Sequence, residues 1–317
     1  MLYWSAYASF AVPMPTAADN CSSSIIVASN APAIFPPGPT LVTFTARDAA
    51  GNSATATTTV TVVDTRAPTF TGVPPPMTVE QTGPSGTSVA VPMPSASDTV
   101  SGSVAVASNA PAIFPPGRTT VTFTARDAAG NSATATTTVT VVDTVSPTLA
   151  IVSPEARDYV HSDVLMTSFS AADAASGLAA GMPTAALDGR AVANGRSISL
   201  LTLALGTHSF AVSATDVAGN SRSQTVTFGV IATVDSLIAS VNVFAGQKKI
   251  DDPAVVKRLL AILNDAKQAV QRGNRAAAIV KLQDFIVQVN AQSGRHITPD
   301  AAQILVADAQ YVMRTLR

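Results

Sequence analysis

The stretch FPPGRTTVTFTARDAAGNSATATTTVTVVD, residues 114–143, decides the fold. Its first arm alternates strictly. Val121, Phe123 and Ala125 share one face, and Thr120, Thr122, Thr124 and Arg126 the other, which predicts a strand with one buried side. DAAGN then supplies a tight loop: Gly130 tolerates a positive φ, and Asn131 accepts turn geometry. SATATTTVTVV alternates again, so the two arms predict a β-hairpin.

Working outward, the same text recurs. Residues 27–65 and 106–144 are separated by 79 positions and differ only at Pro39/Arg118 and Leu41/Thr120. VPMP at Val12 returns at Val91, Asp19 falls opposite Asp98, and Cys21 opposite Val100. A unit of this length is too long for a solenoid repeat and suits an independently folding β-sandwich. By the same offset Met1 aligns with Glu80, so the strand expected at 68–79 has no counterpart in the first unit. The first repeat is therefore expected to be cut off at its front. A third, diverged unit follows at about 147–230: LGTHSFAVSATDVAGN at Leu205 repeats the plan of the hairpin, and ADAASG at Ala172 that of SDTVSG at Ser97. VVDTRAP and VVDTVSP separate the units, and links this short make a semi-rigid array.

Near residue 232 the apolar period changes from 2 to 3.6. Four helices are expected: 234–245; one from Pro253, capped by Asp252 and ending at Gly273; 275–292; and one opened by Thr298-Pro299-Asp300. The apolar stripes are Val255, Val256, Leu259, Leu260, Leu263, Ala266 and Val270, then Ile279, Leu282, Phe285, Ile286 and Val289, then Ile304, Leu305, Val312 and Leu316. Short connections favour a small antiparallel bundle. The expected fold class is thus mainly β: tandem immunoglobulin-like sandwiches followed by a C-terminal α-helical bundle. The domains divide at 1–65, 66–145, 146–231 and 232–317.

The 30-residue hairpin pattern resembles the hyalin repeat (HYR) domain, an immunoglobulin-like module, over about residues 9–145. Such repeats often carry paired cysteines, and this chain keeps only Cys21. The third unit is similar to bacterial Ig-like domains, and the helical tail resembles the FIMAH domain of bacterial secreted multidomain proteins. These resemblances imply an extracellular or cell-surface setting and an adhesive or structural role. The partner would be an extracellular protein or polysaccharide. The alternative is the spacer and interaction region of a large secreted hydrolase whose catalytic domain lies upstream.

The chemistry-bearing residues point away from catalysis. The formal net charge is −1, with no basic stripe for a nucleic acid. No apolar run reaches the ~20 residues of a membrane helix. Glu80 and Glu155 lie in different units, which gives no paired-carboxylate site. No Cys/His spacing suits zinc, and no cofactor is expected. His161-Ser162-Asp163 spells a triad, but neighbours on a strand face opposite ways; His161 is expected at an exposed strand end, His208 on a strand surface and His296 in a loop. The Thr55, Thr57, Thr59 and Thr61 face is expected to be solvated, as are the basic pairs Lys248-Lys249 and Lys257-Arg258. Trp4 and Tyr3 are the clustered aromatics that could stack on a sugar.

Asp48, Asp127 and Asp216 open the DxAGN loops, and Asp64 and Asp143 sit at the junctions. They are the calcium candidates. Calcium takes six to eight oxygens, and one or two carboxylates per junction suit turn caps better. On the cap reading, EGTA leaves the melting temperature unchanged; a fall on chelation would show a bound cation.

Overall fold

The computed structural model describes residues 9–317; Tyr3 and Trp4 lie outside them. Contacts divide the chain into two units, 1–142 and 143–317.

In the first unit, the first repeat folds β1 (Ile26–Ser29), β2 (Gly38–Arg47) and β3 (Ser53–Val62) into an antiparallel sheet in that order. The second repeat contributes β4 (Thr69–Thr71), β5 (Met77–Glu80), β6 (Ser95–Asp98), β7 (Gly102–Val104), β8 (Val106–Ser108), β9 (Gly117–Arg126) and β10 (Ser132–Val142). These form two layers, β5-β10-β9-β8 and β4-β6-β7. The hairpin register runs from Ser132 opposite Arg126 to Val141 opposite Gly117, and β5 joins β10 in parallel. Val121, Phe123 and Ala125 are fully buried, as the alternation requires. Val121 and Phe123 meet Phe114, Val139 and Val141, with Phe70, Met77, Val79, Val89, Val91 and Val106 packed around. The first repeat's core is smaller: Phe35, Val42 and Phe44, flanked by Val12, Val27, Ala31, Val60 and Val62.

Gly86 fixes the entry to the second sandwich. Its φ is +116°, and a Cβ there would lie 1.8 Å from the Phe114 carbonyl oxygen. The backbone approaches this closely because Thr87 and Phe114 exchange hydrogen bonds of 3.0 and 2.8 Å. Gly86→Ala is therefore expected to destabilise the second repeat by about 1–3 kcal/mol, the range for enforced backbone strain. Loss of amide-exchange protection at Thr87 and Phe114 reads this directly.

The second unit begins with β11 (Thr148–Ser153), β12 (Asp158–Val160), β13 (Val164–Met166), β14 (Ser168–Ala172), β15 (Thr184–Leu187), β16 (Arg190–Ala191), β17 (Ser197–Ser199), β18 (Gly206–Thr215) and β19 (Ser221–Ile231). The main sheet is β12-β19-β18-β15-β16, faced by β11-β14 and accompanied by β13-β17. Phe169, Phe210, Phe228, Leu200 and Tyr159 form its core.

Four helices follow: α1 (Val234–Gly246), α2 (Pro253–Gln271), α3 (Arg275–Gln292) and α4 (Pro299–Thr315). Thr233 and Ser236 form a reciprocal capping box on α1, while Asp252 and Asn274 cap α2 and α3 through their carboxylate and amide oxygens. Each such cap is worth about 0.5–2 kcal/mol. Helix α1 packs on α2 and α4, and α3 joins α2 to α4. Leu259, Leu263, Ala266, Leu282, Phe285, Val289, Leu305 and Val312 fill the centre. Val270, expected on the inner stripe, is instead 37% exposed, in the last turn of α2. Leu201, from the third sandwich, belongs to the helical core, and Leu205 packs against both cores. The bundle is thus built directly onto the third sandwich, a point on which the sequence is silent. No helix among the described residues is long and apolar enough to cross a membrane.

Candidate functional site

Two groups of three carboxylates stand out, and the repeat explains both. In each DxAGN loop the Asp accepts two bonds from the Asn four residues on. Asn131 donates its backbone N–H to Asp127 Oδ1 at 2.7 Å and its Nδ2 to Oδ2 at 2.8 Å. Asn220 does the same to Asp216 at 2.8 and 2.9 Å. The same amide nitrogen also reaches back to the junction: Asn131 Nδ2 to the Asp64 carbonyl at 3.1 Å, and Asn220 Nδ2 to the Asp143 carbonyl at 3.0 Å. The loop Asn is therefore a staple between hairpin and linker.

A third carboxylate completes each group. Asp98 closes β6 and accepts from the Val100 and Ser101 N–H groups, both onto Oδ1. Asp173, its counterpart, accepts from the Gly177 N–H at 2.8 Å. Asp64, Asp98 and Asp127 offer ligand atoms that all lie within 4.8 Å of one another, and so do Asp143, Asp173 and Asp216. Asp64 Oδ1 accepts from the Arg66 N–H, while Oδ2 is buried with no hydrogen-bond partner. The Ser101 and Val100 N–H groups hold the Asp98 carboxyl below its ordinary value. The Ser176 hydroxyl does so for Asp143 against the opposing effect of burial, and the Asn52 amide for Asp48. Asp98 and Asp143, one in each group, are thus held ionised.

The sequence reading named Asp64, Asp127, Asp143 and Asp216 but not Asp98 or Asp173. The signal was present, since Asp19, Asp98 and Asp173 align. Asp48 in the first repeat has the same loop bonds to Asn52 but belongs to no group of three among the described residues. Asn131→Ala removes the staple and leaves the Asp64 carbonyl without its side-chain partner. The expected cost is about 1–3 kcal/mol, seen as lost exchange protection in the 127–131 loop and at residue 66.

The histidines require two corrections. His161 is buried at 2%, not at an exposed strand end, because α4 covers it. Its Nδ1 lies 2.6 Å from Asp308 Oδ1 and its Nε2 3.1 Å from the Leu203 carbonyl. Burial alone would lower the His161 pKa, but the Asp308 carboxylate and the Leu203 and Leu200 carbonyls outweigh it and raise it. Burial raises Asp308 beyond what His161 offsets. His208 is also buried, at 7%, with Nδ1 2.6 Å from Asp188 Oδ2 and Nε2 2.8 Å from the Ala204 carbonyl. It faces inward at the end of β18, against Phe228. His296 lies in a loop and contacts Asp251 at 3.0 Å. Each pair ties one segment to another. Lys249, its side chain 36% exposed, pairs with Asp300 at 2.6 Å and draws that carboxyl down to about 2. The Thr55, Thr57, Thr59 and Thr61 face is exposed.

This chain aligns with hyalin of Lytechinus variegatus over 150 residues at 41% identity, covering 44% of this chain and 28% of that protein. It aligns with hyalin of Strongylocentrotus purpuratus over 150 residues at 41% identity, covering 44% and 12%. The chain therefore spans under a third of either relative. Among solved structures, the protocadherin gammaB7 EC3-6 cis-dimer overlaps 71% of this chain and 71% of its own at 15% identity, with a TM-score of 0.28. The fibronectin(III)-like modules of Clostridium thermocellum CbhA overlap 51% and 93% at 15% identity, with a TM-score of 0.24. Scores this low carry no argument, and the fold rests on the sheets described above. The HYR domain family matches residues 7–62 and 63–141, and the FIMAH domain family residues 234–314. The chain carries two HYR domains in tandem, followed by a C-terminal FIMAH domain.

Proposed function

We propose that this chain is a non-catalytic adhesion or structural module of a secreted or surface bacterial multidomain protein. The observation that carries the reading is the tandem of near-identical HYR repeats with hyalin as relative. Two copies of one surface on one chain raise binding by avidity even where a single site is weak. In this reading the units divide at 1–65, 66–145, 146–231 and 232–317, and 146–231 is a bacterial Ig-like domain that seats the FIMAH helices. Partners are extracellular proteins or polysaccharides. Antibody labelling of intact producing cells tests the setting: signal without permeabilisation supports it, and signal only after permeabilisation contradicts it.

The converging carboxylates favour an addition to this reading. Three carboxylates within 4.8 Å repel one another, by up to about 4 kcal/mol per pair at a near-surface effective dielectric constant of 20. A calcium ion at Asp64, Asp98 and Asp127, and another at Asp143, Asp173 and Asp216, would remove that repulsion and stiffen each DxAGN loop. Millimolar calcium should then raise the melting temperature and EGTA reverse it. An unchanged melting temperature leaves the aspartates as turn caps alone.

A further inference from the structure

Helix α4 meets the third sandwich along a cleft of about 770 Å³. Residues 199 and 201–205 line it on the sandwich side, and the end of α1 and one strip of α4 on the other. Small molecules favour clefts of about 300–1,000 Å³ where two folded layers join.

Two buried pairs hold the sandwich wall in place. His161 Nε2 lies 3.1 Å from the Leu203 carbonyl oxygen, and His208 Nε2 lies 2.8 Å from that of Ala204. Each imidazole is backed by a carboxylate at 2.6 Å, Asp308 for one and Asp188 for the other. Two successive carbonyls of one segment are thus fixed separately. Buried ionic pairs add little stability over apolar residues of the same volume. What these pairs supply is position, and a wall set before a ligand arrives lowers the ordering cost of binding.

The polar lining sets the chemistry of that ligand. Gln303, Gln310 and Arg314 follow one another along α4 at steps of seven and four residues, on one exposed face. They span about 16 Å at the rise of a helix. Gln247 joins them from just past α1. None of the three glutamine side chains makes a hydrogen bond among the described residues, and Arg314 makes no ion pair there. Lys249 pairs with Asp300, and His161 with Asp308, so Arg314 is the uncompensated charge among the lining residues. A primary amide offers donors and an acceptor together, which suits the adjacent hydroxyls of a sugar. A guanidinium suits a carboxylate, which it can grip with two parallel bonds. Half-buried Leu205 and Ile304 add apolar lining for the C–H face of a sugar ring.

We propose that this cleft binds a small sugar acid, a hydroxylated monocarboxylate of one or two sugar units. Its carboxylate would lie on Arg314 and its hydroxyls on Gln247, Gln303 and Gln310. Bound there, it would bridge α4 to the 202–205 segment and stabilise the 143–317 unit by mass action. The site goes beyond the adhesive reading and does not depend on it, because the HYR repeats lie in the other unit.

The test uses the full chain with free glucuronate and lactobionate, sugar acids of one and two units. At least one should raise the melting temperature of the 143–317 unit saturably and slow amide exchange across 202–205. Glucose, which lacks the carboxylate, and acetate, which lacks the hydroxyls, should do neither at the same concentration and ionic strength. Arg314→Gln, and separately a Gln303→Ala/Gln310→Ala double variant, should each weaken binding about tenfold or more, the scale of a lost hydrogen bond to a charged group. All three positions are exposed, so melting without ligand should stay unchanged. The four ligands compared on the unaltered chain decide the outcome even where a variant melts early. No saturable effect of either acid at tens of millimolar would overturn the proposal. An equal effect of acetate or of glucose would overturn it too, as would undiminished binding by both folded variants.

Discussion

Replacing His161 by alanine is expected to destabilise the 143–317 unit by about 3–5 kcal/mol, the cost of leaving a buried charge without its partner. The His161 and Asp308 side chains are 3% and 0% exposed, and Asp308 Oδ2 already has no hydrogen-bond partner. Without the imidazole, Oδ1 would lose its partner as well. Asp308→Asn keeps an acceptor near Nδ1 and removes the charge, so it should cost less than His161→Ala. The pair also gives this unit a pH dependence. Both ring nitrogens face acceptors, so the imidazolium satisfies both, and His161 binds its proton more tightly in the fold than in the open chain. The stability it contributes is fully present below about 6.5, the ordinary histidine value, and is lost as pH rises through the folded value. Asp308 is shifted upward too, so its contribution falls with rising pH in a lower window that starts at its ordinary 3.8. Urea denaturation across pH 6–9 should therefore show falling stability in the parent and a flatter profile in His161→Ala. Asp300, which lines the adjoining cleft of about 770 Å³, is held ionised across that range by Lys249 and leaves the histidine step intact.

The second large effect is expected at Phe123. Its side chain is fully buried between the layers of the second repeat. Phe123→Ala should cost about 3–5 kcal/mol, the transfer loss plus the cavity, and open the second repeat while leaving 143–317 unaffected. The same change at Phe44, identical in local sequence, should cost less. Phe44 is 7% exposed, and among the described residues its core holds three buried side chains, Phe35, Val42 and Phe44, against five in the second repeat. Site-resolved hydrogen exchange on the full chain separates the two. Equal losses would mean that the first repeat is covered as completely as the second.

Much of this was legible in the residues. Strict alternation from Thr120 to Arg126 identified the buried face because a strand has a period of 2 and water lies on one side. Asp252-Pro253 and Thr298-Pro299 marked helix starts because a proline in the first turn is a local signal. Non-local facts were not legible. His161 is an ordinary strand-end residue by its neighbours; its burial comes from α4, almost 150 residues away. Asp308 carried a faint signal, a carboxylate on the same helical face as Leu305 and Val312, where an apolar residue is the norm. Asp98 and Asp173 were missed for a related reason. Each is a plausible turn cap by itself, and only the folded units bring it to the junction aspartate and the DxAGN loop.

In the proposed adhesive role the two HYR repeats do the binding. This is tested most directly by measuring the intact chain on immobilised extracellular-matrix proteins and polysaccharides, beside a Phe44→Ala/Phe123→Ala double variant. Saturable binding by the intact chain should disappear in the double variant while the 143–317 unit melts unchanged. Binding that survives unfolding of both repeats, or no saturable binding by the intact chain on any surface, would contradict it.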